Sequence, residues 1–342
     1  MNRVCFISVY FGKIPPFFRT FLDSCRWNPQ FDWLIVHDEN LNYECPENVH
    51  ELLISLEKFR DEVTKKVNIE IPKIKPYKVC DYRPAFGIIF KEYIKNYEFW
   101  GICDTDLILG NLKEFITDEM LDTYDKIFTM GHMSLVRNTD NCNWLFKRDT
   151  ANSKNYKYVF QDERNHIYDE FNGFTEKFCD IGYNVYKFKK CADITSKCGR
   201  LRVNERWFIR CIQPQNSFIS FSVDENYKYQ VFWEYDGHTY RTYINKENIV
   251  KEEYSYIHKI DYAYENHLSK KDFVILTTNG YVLVEDKKII KDFIENKVSK
   301  KLIREYNASN EIEELFSDFY WFVRWKLRYF KANLKNRLNK EK

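Results

Sequence analysis

The chain has 342 residues, of which 44% are hydrophobic and 30% charged, the proportions of a soluble globular protein. This composition excludes a disordered or collagen-like chain, and a net charge of +2 does not indicate a dedicated nucleic-acid binder, so no nucleic-acid partner is expected. No apolar run reaches the about 18 residues of a membrane-spanning helix, and the ten cysteines form no Cys-x-x-Cys pair. We therefore expect a cytoplasmic protein with reduced thiols that is neither secreted nor membrane-spanning.

The N-terminal part of the chain predicts a β-α-β unit. Residues 4–9 form an apolar predicted strand, and Pro15-Pro16 opens a segment whose apolar residues have helical spacing. A second strand is predicted over residues 33–37. Such a start indicates an open α/β sheet, in which ligands bind at the carboxyl ends of the strands.

Further elements are predicted in the middle of the chain. Pro84 is placed to begin a helix whose apolar stripe packs on the sheet. That stripe consists of Phe86, Ile89, Phe90, Tyr93 and Ile94. Residues 99–103 are continuously apolar, as in a central strand buried on both faces, and residues 126–130 predict another strand. Residues 138–196 are polar and poorly periodic and predict a substrate-facing insertion, whereas residues 218–284 hold several β-rich stretches.

An acidic pair, Asp104 and Asp106, follows the predicted central strand. Alternation in an extended chain puts both carboxylates on the same side, where they repel each other unless a cation lies between them. Mg²⁺ or Mn²⁺, which take oxygen ligands and bridge to phosphate, would complete such a site. The tripeptide alone is weak evidence, and the alternative is an Asx turn with a solvated Asp106.

Several short sequence blocks surround the acidic pair. The central blocks are Pro76-Tyr77-Lys78-Val79-Cys80-Asp81-Tyr82-Arg83-Pro84, Tyr97-Glu98-Phe99-Trp100-Gly101-Ile102-Cys103-Asp104-Thr105-Asp106 and Gly110-Asn111-Leu112. The others are Tyr10-Phe11-Gly12, Gly131-His132-Met133-Ser134-Leu135-Val136-Arg137-Asn138, Tyr168-Asp169-Glu170 and Tyr256-Ile257-His258. In this order, over about residues 4–260, the chain resembles a bacterial family of GT-A-fold glycosyltransferases from polysaccharide (capsule and lipopolysaccharide) biosynthesis clusters.

The resemblance implies a fold, an activity and a set of ligands. The fold is α/β of the GT-A type, Rossmann-like, with a mostly parallel central sheet flanked by helices. The catalytic domain is expected over residues 1–285, with a nucleotide-sugar-binding half (1–130) and an acceptor-side half (131–285). The implied activity is the transfer of a hexose from a nucleotide sugar, most simply a UDP-sugar, to a growing, lipid-linked surface polysaccharide. Mn²⁺ or Mg²⁺ on the donor diphosphate would stabilise the charge on the departing group.

Three residues are candidate metal ligands. Asp106 is the expected direct ligand, while Asp104 contacts the ribose or the ion. The family pattern places a late histidine near the metal or the diphosphate, which is His258 here, and a neutral imidazole suits Mn²⁺ better than Mg²⁺. The alternative for His258 is a hydrogen-bonded structural role. Lys259-Ile260-Asp261 also depart from the basic or aromatic residues that usually follow this histidine in the family.

Other residues are expected to bind the donor. Tyr10, Phe11 and Gly12 follow the first strand, where GT-A enzymes hold the nucleotide base, although both aromatic rings also suit the core. Arg83 is expected to contact the donor, and Asp81 a ribose or sugar hydroxyl, because both stand just before a predicted helix. The alternative for these two residues is a local ion pair with helix capping.

The acceptor side of the site is predicted from two further blocks. His132 and Arg137 flank a short apolar stretch and are expected to line the donor-sugar pocket, with a turn-holding role as the alternative for His132. Asp169 or Glu170 is expected to accept or orient the acceptor hydroxyl's proton, with Asp169 favoured. A solvated loop is the alternative for this pair, and Asp162-Glu163 is a rival.

A C-terminal helical extension is predicted over residues 286–342. Residues 319–340 carry seven basic residues and no acidic one, interleaved with aromatic residues. A helix of this kind either contacts an anionic membrane surface, as a peripheral protein on the inner face of the cytoplasmic membrane, or docks on the catalytic domain.

Two other functions stay open at the level of sequence. One is a nucleotidyltransferase acting on sugar phosphates, which would normally carry a Gly-rich basic loop where this chain has Gly12-Lys13. The other is a non-catalytic glycan-binding protein on the same fold. Metal-dependent binding of UDP separates these possibilities.

Overall fold

The computed structural model describes most of the chain up to residue 283. The described residues are 2–15, 17–170, 172–187, 191–197, 200–203, 230–235, 237–245, 248–258, 273–277 and 280–283. The predicted extension over 286–342, including its basic and aromatic segment 319–340, lies outside them. None of the helices within the described ranges has the length and apolar character needed to cross a membrane.

Strands and helices are interspersed along the first half of the chain. The strands are β1 (Val4–Tyr10), β2 (Asp32–His37), β3 (Val49–Leu53), β4 (Phe99–Cys103), β5 (Leu107–Leu109), β6 (Lys126–Met130), β7 (Met133–Arg137), β8 (Val185–Tyr186), β9 (Ala192–Lys197), β10 (Arg200–Val203), β11 (Gln230–Tyr235), β12 (His238–Asn245), β13 (Asn248–Tyr254), β14 (Tyr256–His258), β15 (Phe273–Thr277) and β16 (Gly280–Leu283). The α-helices are α1 (Phe18–Arg26), α2 (Leu56–Val67), α3 (Phe86–Ile89), α4 (Lys91–Ile94), α5 (Asp118–Thr123), α6 (Asp140–Asn143), α7 (Tyr156–Gln161) and α8 (Phe174–Ile181). Short 3-10 helices cover Pro76–Ala85, Leu112–Glu114 and Leu145–Lys147.

A seven-stranded sheet with the order β3-β2-β1-β4-β7-β6-β8 organises the fold. Strands β1 to β4 run parallel, and β7 is antiparallel to both of its neighbours. The α/β class expected from the sequence, with a mostly parallel central sheet, is therefore confirmed. Such a sheet offers its carboxyl edge as the binding site.

Strand β4 lies at the centre of this sheet, and all five of its residues are buried. Its side chains alternate between the faces, so that Trp100 and Ile102 join one apolar core and Phe99 joins the other. Gly101 is required by the packing, because a Cβ there would lie 2.5 Å from a ring atom of Phe6. The continuously apolar sequence therefore reflects burial on both faces of the sheet.

The region predicted as one helix after Pro84 has a different form. A 3-10 helix over Pro76–Ala85 precedes α3 and α4, which are separated at Phe90, whose φ is −106°. The predicted stripe is nevertheless buried apart from Tyr93, which is 51% exposed. The ring of Phe90 stacks on Phe59 of α2 with centroids 6.3 Å apart. Packing against α2, rather than helical periodicity, sets the path of this segment.

Residues 138–196, predicted as a substrate-facing insertion, also contribute apolar side chains to the core. Phe146, Phe160 and Phe178 lie in the same apolar cluster as Trp100. The helices α6, α7 and α8 that carry this region are 4 to 8 residues long. Elements this short do not complete enough turns to produce a visible hydrophobic period.

Two smaller sheets accompany the central one. Their orders are β10-β9-β14-β5 and β13-β12-β11-β15-β16. In the first, β14 pairs antiparallel with β5 and parallel with β9. Because β5 begins soon after β4 ends, this small sheet brings distant parts of the chain to the carboxyl end of the central strand.

Candidate active site

A cleft of about 590 Å³ opens at the carboxyl ends of β1 and β4. Its lining combines five carboxylates with one arginine and two histidines, and this excess of negative charge favours binding of a cation. The lining residues are Val9, Tyr10, Phe11, Phe17, Pro76, Tyr77, Val79, Cys80, Arg83, Cys103, Asp104, Thr105, Asp106, His132, Asn165, Ile167, Asp169, Glu170, Asp193 and His258.

The predicted metal ligands converge in this cleft. One ligand atom from each of Asp104, Asp106 and His258 lies within 4.8 Å of the others. Strand pairing explains the arrangement, since His258 is opposite Leu107 in the ladder between β14 and β5. Its Nε2 atom is consequently 3.7 Å from Oδ1 of Asp106. Two carboxylate oxygens and one imidazole nitrogen form a donor set that suits a divalent cation such as Mn²⁺.

The protonation of His258 is controlled by burial and by acidic neighbours. Burial opposes the imidazolium charge, but Asp106 and the hydrogen bond with Asp193 outweigh it and raise the pKa of His258 above 6.5. A metal ion at this position would therefore compete with a proton for the same imidazole nitrogen.

Arg83 connects Asp104 to Asp169 across the cleft. Its guanidinium donates hydrogen bonds to Asp104 and, over 2.8 Å, to Oδ2 of Asp169. A third bond of 3.1 Å reaches the carbonyl oxygen of Gly131. Burial opposes its charge, but Asp104 and Asp169 more than compensate and raise the pKa of Arg83. The guanidinium therefore stays charged and holds two carboxylates in fixed positions.

Asp169 and Glu170 line the cleft from the loop between α7 and α8. Asp169 is 4% exposed, and none of the described residues donates a hydrogen bond to its Oδ1 atom. Burial raises the pKa of Asp169 to about 6, against the effect of Arg83. Burial and the neighbouring Asp169 together raise the pKa of Glu170 to about 7. A carboxylate that titrates near neutral pH is suited to accept a proton.

Gly131 permits the close approach of this acidic pair to the sheet. A Cβ at Gly131 would lie 2.5 Å from Oδ2 of Asp169 and 2.7 Å from Cγ of Glu170. The glycine is therefore needed for space, because a larger residue would push the loop away from Arg83.

Asp81 does not line the cleft, and the expected contact with a ribose or sugar hydroxyl is corrected. Its side chain is fully buried and accepts hydrogen bonds from Lys78 Nζ (2.7 Å) and from the backbone N–H groups of His166 (2.9 Å) and Tyr168 (3.0 Å). Lys78 Nζ also donates to the carbonyl oxygens of Val159 and Arg164. Asp81 therefore forms a local ion pair, with Lys78, and its hydrogen bonds with His166 and Tyr168 hold the loop that carries Asp169.

Residues 10–12 lie at the end of β1, and Gly12 is not among the residues that line the cleft. Tyr10 and Phe11 both line it, although Phe11 is 6% exposed and packs on Phe59. Gly12 adopts a φ of +100°, and its N–H donates to Oδ1 of Asp38 over 2.7 Å. A left-handed φ at this turn favours glycine.

His132 lies in the cleft beside the metal-ligand candidates. Its ring stacks on that of His258, with centroids 4.2 Å apart and an angle of 9° between the planes. Its Nδ1 atom is 2.8 Å from the hydroxyl oxygen of Tyr256. The carbonyl oxygen of His132 also accepts a 2.9 Å hydrogen bond from the N–H of Asp104. The structure thus places this residue against His258.

Arg137 lies at the other end of the sheet, and its expected place in the donor-sugar pocket is corrected. Strand β7 runs antiparallel to β4, so that Arg137 pairs with Phe99 at the start of β4. The guanidinium donates to the carbonyl oxygens of Leu121 and Tyr124, each over 2.8 Å. Five residues of extended strand span about 17 Å, which separates Arg137 from the cleft.

Sequence reasoning missed several residues of the cleft, among them Asp193. The sequence did contain a sign of it: Asp193 is an acidic residue within the otherwise apolar run 191–194, and a buried strand seldom contains an acidic residue. Tyr77, Cys80 and Asn165 also line the cleft. They carry no local signal, because their position depends on how the loop between α7 and α8 folds back onto residues 76–85.

The fold and the cleft define the class: an α/β protein with an acidic site at the carboxyl edge of its central sheet. The chain belongs to a family of unknown function (DUF6625), whose model matches residues 6–285. A comparison with curated proteins gives no match.

Two solved structures are similar to this chain at low levels of identity. One is a glycosyltransferase involved in the glycosylation of the major capsid of PBCV-1, with a TM-score of 0.30, 10% identity, and coverage of 54% of this chain and 80% of that chain. The other is mouse xyloside xylosyltransferase 1 in its apo form, with a TM-score of 0.29, 9% identity, and coverage of 52% and 80%. Similarity of this size does not define an activity.

Proposed function

We propose that this protein is a metal-dependent glycosyltransferase that moves a hexose from a UDP-sugar to a growing, lipid-linked surface polysaccharide. The observation that carries the proposal is the convergence of Asp104, Asp106 and His258 within 4.8 Å in a cleft at the carboxyl end of the sheet. The sequence blocks around the acidic pair support the same activity.

The donor set fits a divalent cation bound to a diphosphate. Asp104, Asp106 and His258 would hold the ion from one side, leaving its other positions for phosphate oxygens and water. When bound, such an ion neutralises the negative charge that develops on the diphosphate as it departs from the sugar.

The other residues of the cleft would orient the donor. Tyr10 offers an aromatic ring at the end of β1, where a uracil base can stack. Arg83 lies next to Asp104 and brings a fixed positive charge close to the phosphates. Because Arg83 also holds Asp169, it fixes the loop that carries the neighbouring Glu170 relative to the donor.

We assign the proton-accepting role to Glu170 and a positioning role to Asp169. Glu170 lies in the cleft, and none of the described residues donates a hydrogen bond to its carboxylate, whereas Asp169 is bound by Arg83. In the transfer, the acceptor hydroxyl oxygen bonds to the anomeric carbon while the bond from that carbon to the diphosphate oxygen breaks. The hydroxyl proton passes to Glu170.

A donor-hydrolysis screen tests the proposed function. The full chain is incubated with a panel of UDP- and GDP-sugars, with Mn²⁺, with Mg²⁺ or with a chelator, and release of the nucleotide is measured. We expect hydrolysis of at least one UDP-sugar that needs the metal. Asp106→Ala should lose nearly all of this activity, because the substitution removes one ligand of the ion.

Asp61→Ala is the matched control, since this carboxylate lies on the surface next to Arg60. It should behave as the wild type does. Equal metal-dependent turnover by wild type and Asp106→Ala would exclude the role of the acidic pair. Failure of every sugar nucleotide to bind, as measured by calorimetry, would exclude the transferase.

A further inference from the structure

Three neighbouring strands of the small sheet place their polar residues side by side. In the parallel ladder between β9 and β14, Asp193 pairs with His258. In the antiparallel ladder between β14 and β5, the same His258 pairs with Leu107, which follows Asp106. The histidine therefore has one carboxylate on each side, held there by backbone hydrogen bonds.

The two carboxylates face different nitrogens of the ring. Oδ1 of Asp193 lies 2.9 Å from Nδ1 of His258, and Oδ1 of Asp106 lies 3.7 Å from Nε2. A carboxylate only accepts hydrogen bonds, so Nδ1 carries the hydrogen and donates it to Asp193. In the neutral ring the lone pair is then on Nε2 and points towards Asp106 and the cleft.

A second contact fixes the plane of the ring. His132 stacks on His258 with 9° between the planes and with centroids 4.2 Å apart. Stacking prevents the ring from tilting, and the hydrogen bond to Asp193 prevents it from turning within its plane. Asp193 itself is 1% exposed and belongs to a strand, so it is a rigid anchor.

We propose that Asp193 is a positioning residue of the divalent-cation site, which holds His258 in the tautomer and orientation that present Nε2 to the ion. This inference rests on the proposed function, because it presupposes that the ion is bound by Asp104, Asp106 and His258. Outer carboxylates on ligating histidines contribute about 10- to 100-fold to metal affinity.

The test is a titration of the full chain with Mn²⁺ in the absence of sugar nucleotide. The free ion is measured by electron paramagnetic resonance. We expect Asp193→Asn to bind Mn²⁺ about 10- to 100-fold more weakly than the wild type. His258→Gln should show a loss at least as large. Asp61→Asn, the same substitution on the surface, should bind as the wild type does.

A second readout reports the tautomer directly. Ring ¹⁵N shifts of the metal-free wild type at alkaline pH, with the His258 signals identified by their loss in His258→Gln, should show hydrogen on Nδ1. In Asp193→Asn the signals should shift towards a mixture of tautomers. A merely structural role for Asp193 would alter the unfolding temperature without changing these shifts. The wild-type spectrum also keeps the proposal testable should Asp193→Asn not fold.

The outcomes separate this inference from the proposed function. If wild type binds Mn²⁺ and Asp106→Ala does not, but Asp193→Asn binds within twofold of wild type, the positioning role is wrong and the metal site stands. Hydrogen on Nε2 of the neutral ring in the wild type would also overturn the positioning role. If the wild type itself does not bind Mn²⁺, the inference fails together with the metal dependence of the proposed function.

Discussion

The carboxylates of the cleft differ in the positive charge that each has beside it. Asp104 and Asp169 share the guanidinium of Arg83, and Asp193 faces His258. Glu170 forms no ion pair with any of the described residues, and burial together with Asp169 raises the pKa of its carboxyl group to about 7. The proton that the acidic cleft retains at neutral pH is therefore best placed on Glu170.

The pH dependence of stability tests this assignment. The pKa of Glu170 is raised from 4.5 to about 7, so its contribution to folding stability is complete below pH 4.5 and is lost as the pH rises through about 7. Glu170→Gln removes this titration. We expect the variant to gain stability relative to wild type between about pH 5 and about pH 8 in urea unfolding without metal.

Glu163→Gln is the control for this comparison, because Glu163 is exposed on the same loop. Its stability difference from wild type should not vary over the same range. If the Glu170→Gln difference were equally flat, Glu170 would not hold the proton.

As a proton acceptor, Glu170 must be ionised, so the transfer rate of the wild type should increase as the pH rises through neutrality.

The buried pair of Lys78 and Asp81 gives a second prediction at this scale. Asp81→Ala leaves the ammonium of Lys78, whose side chain is 2% exposed, without its carboxylate. Breaking a buried pair from one side costs about 3–5 kcal/mol of unfolding free energy, measured by urea titration. Lys78→Met combined with Asp81→Leu should recover part of that loss.

A surface pair serves as the comparison. Lys91 and Asp140 are 3.3 Å apart, with side chains 55% and 75% exposed, and Asp140→Ala should change the unfolding free energy by less than about 0.5 kcal/mol. A similarly small effect for Asp81→Ala would show that the pair does not secure the loop.

At the scale of elements, the loop between α7 and α8 decides where Asp169 and Glu170 lie in the cleft. It is attached to residues 76–85 through Asp81, and it approaches the turn between β6 and β7 at Gly131. Ile167 within it adopts a left-handed φ of +52°, which is strained for a β-branched residue. Attachments on two sides hold this conformation in place.

Gly131→Ala should displace this loop. The added Cβ would meet Asp169 and Glu170 at less than 3 Å, so we expect a loss of about 1–3 kcal/mol in stability. A displacement of about 1 Å at the reacting groups should lower the transfer rate by about 10- to 100-fold. Both quantities are measured on the same purified variant.

Gly87→Ala separates the two effects. A Cβ at Gly87 would also clash, at 2.4 Å from Oδ1 of Asn143, but Gly87 lies outside the cleft. This variant should lose stability while the folded protein keeps its transfer rate. An equal fall in rate for both variants would mean that Gly131 acts through overall stability alone.

At the scale of the whole molecule, the sequence predicted what depends on neighbours along the chain. The burial of β4 and the adjacency of Asp104 and Asp106 follow from one apolar run and its end. Arg83 and Asp81 show what the sequence could not predict. They are two residues apart in one 3-10 helix, yet Arg83 faces the cleft and Asp81 faces the loop between α7 and α8. Their directions depend on a loop more than 80 residues away, as the separations of 85 and 87 residues from Asp81 to its backbone partners show.

Sheet pairing sets the other limit. Arg137 and His132 are only five residues apart in sequence. Strand β7 runs antiparallel to β4, so that His132 lies near the carboxyl end of β4 and Arg137 near its start. Conversely, Asp193 and His258 meet because β9 and β14 pair in parallel, although 65 residues separate them. Residue periodicity does not encode which strands pair. The resemblance therefore indicated His258, but the sequence did not show that Asp193 would lie beside it.

The basic and aromatic segment 319–340 gives a prediction for the whole chain. We expect the protein to sediment with vesicles of anionic phosphatidylglycerol and not with phosphatidylcholine, because each basic residue near an anionic surface contributes about 1 kcal/mol. Replacing Arg324, Lys331 and Arg337 by Gln should weaken sedimentation, and salt should do the same. Equal sedimentation of wild type and the triple variant would favour the docked-helix alternative.

The strand pairing that joins β5 to β14 has a consequence for how the protein is made. A ribosome that has translated the first half of the chain has released both aspartates of the site, but not the imidazole that completes it. The nascent polypeptide can therefore build much of its central sheet before His258 has been synthesised. The set of three candidate ligands is therefore complete only late in synthesis, once β14 has been made and has paired with β5.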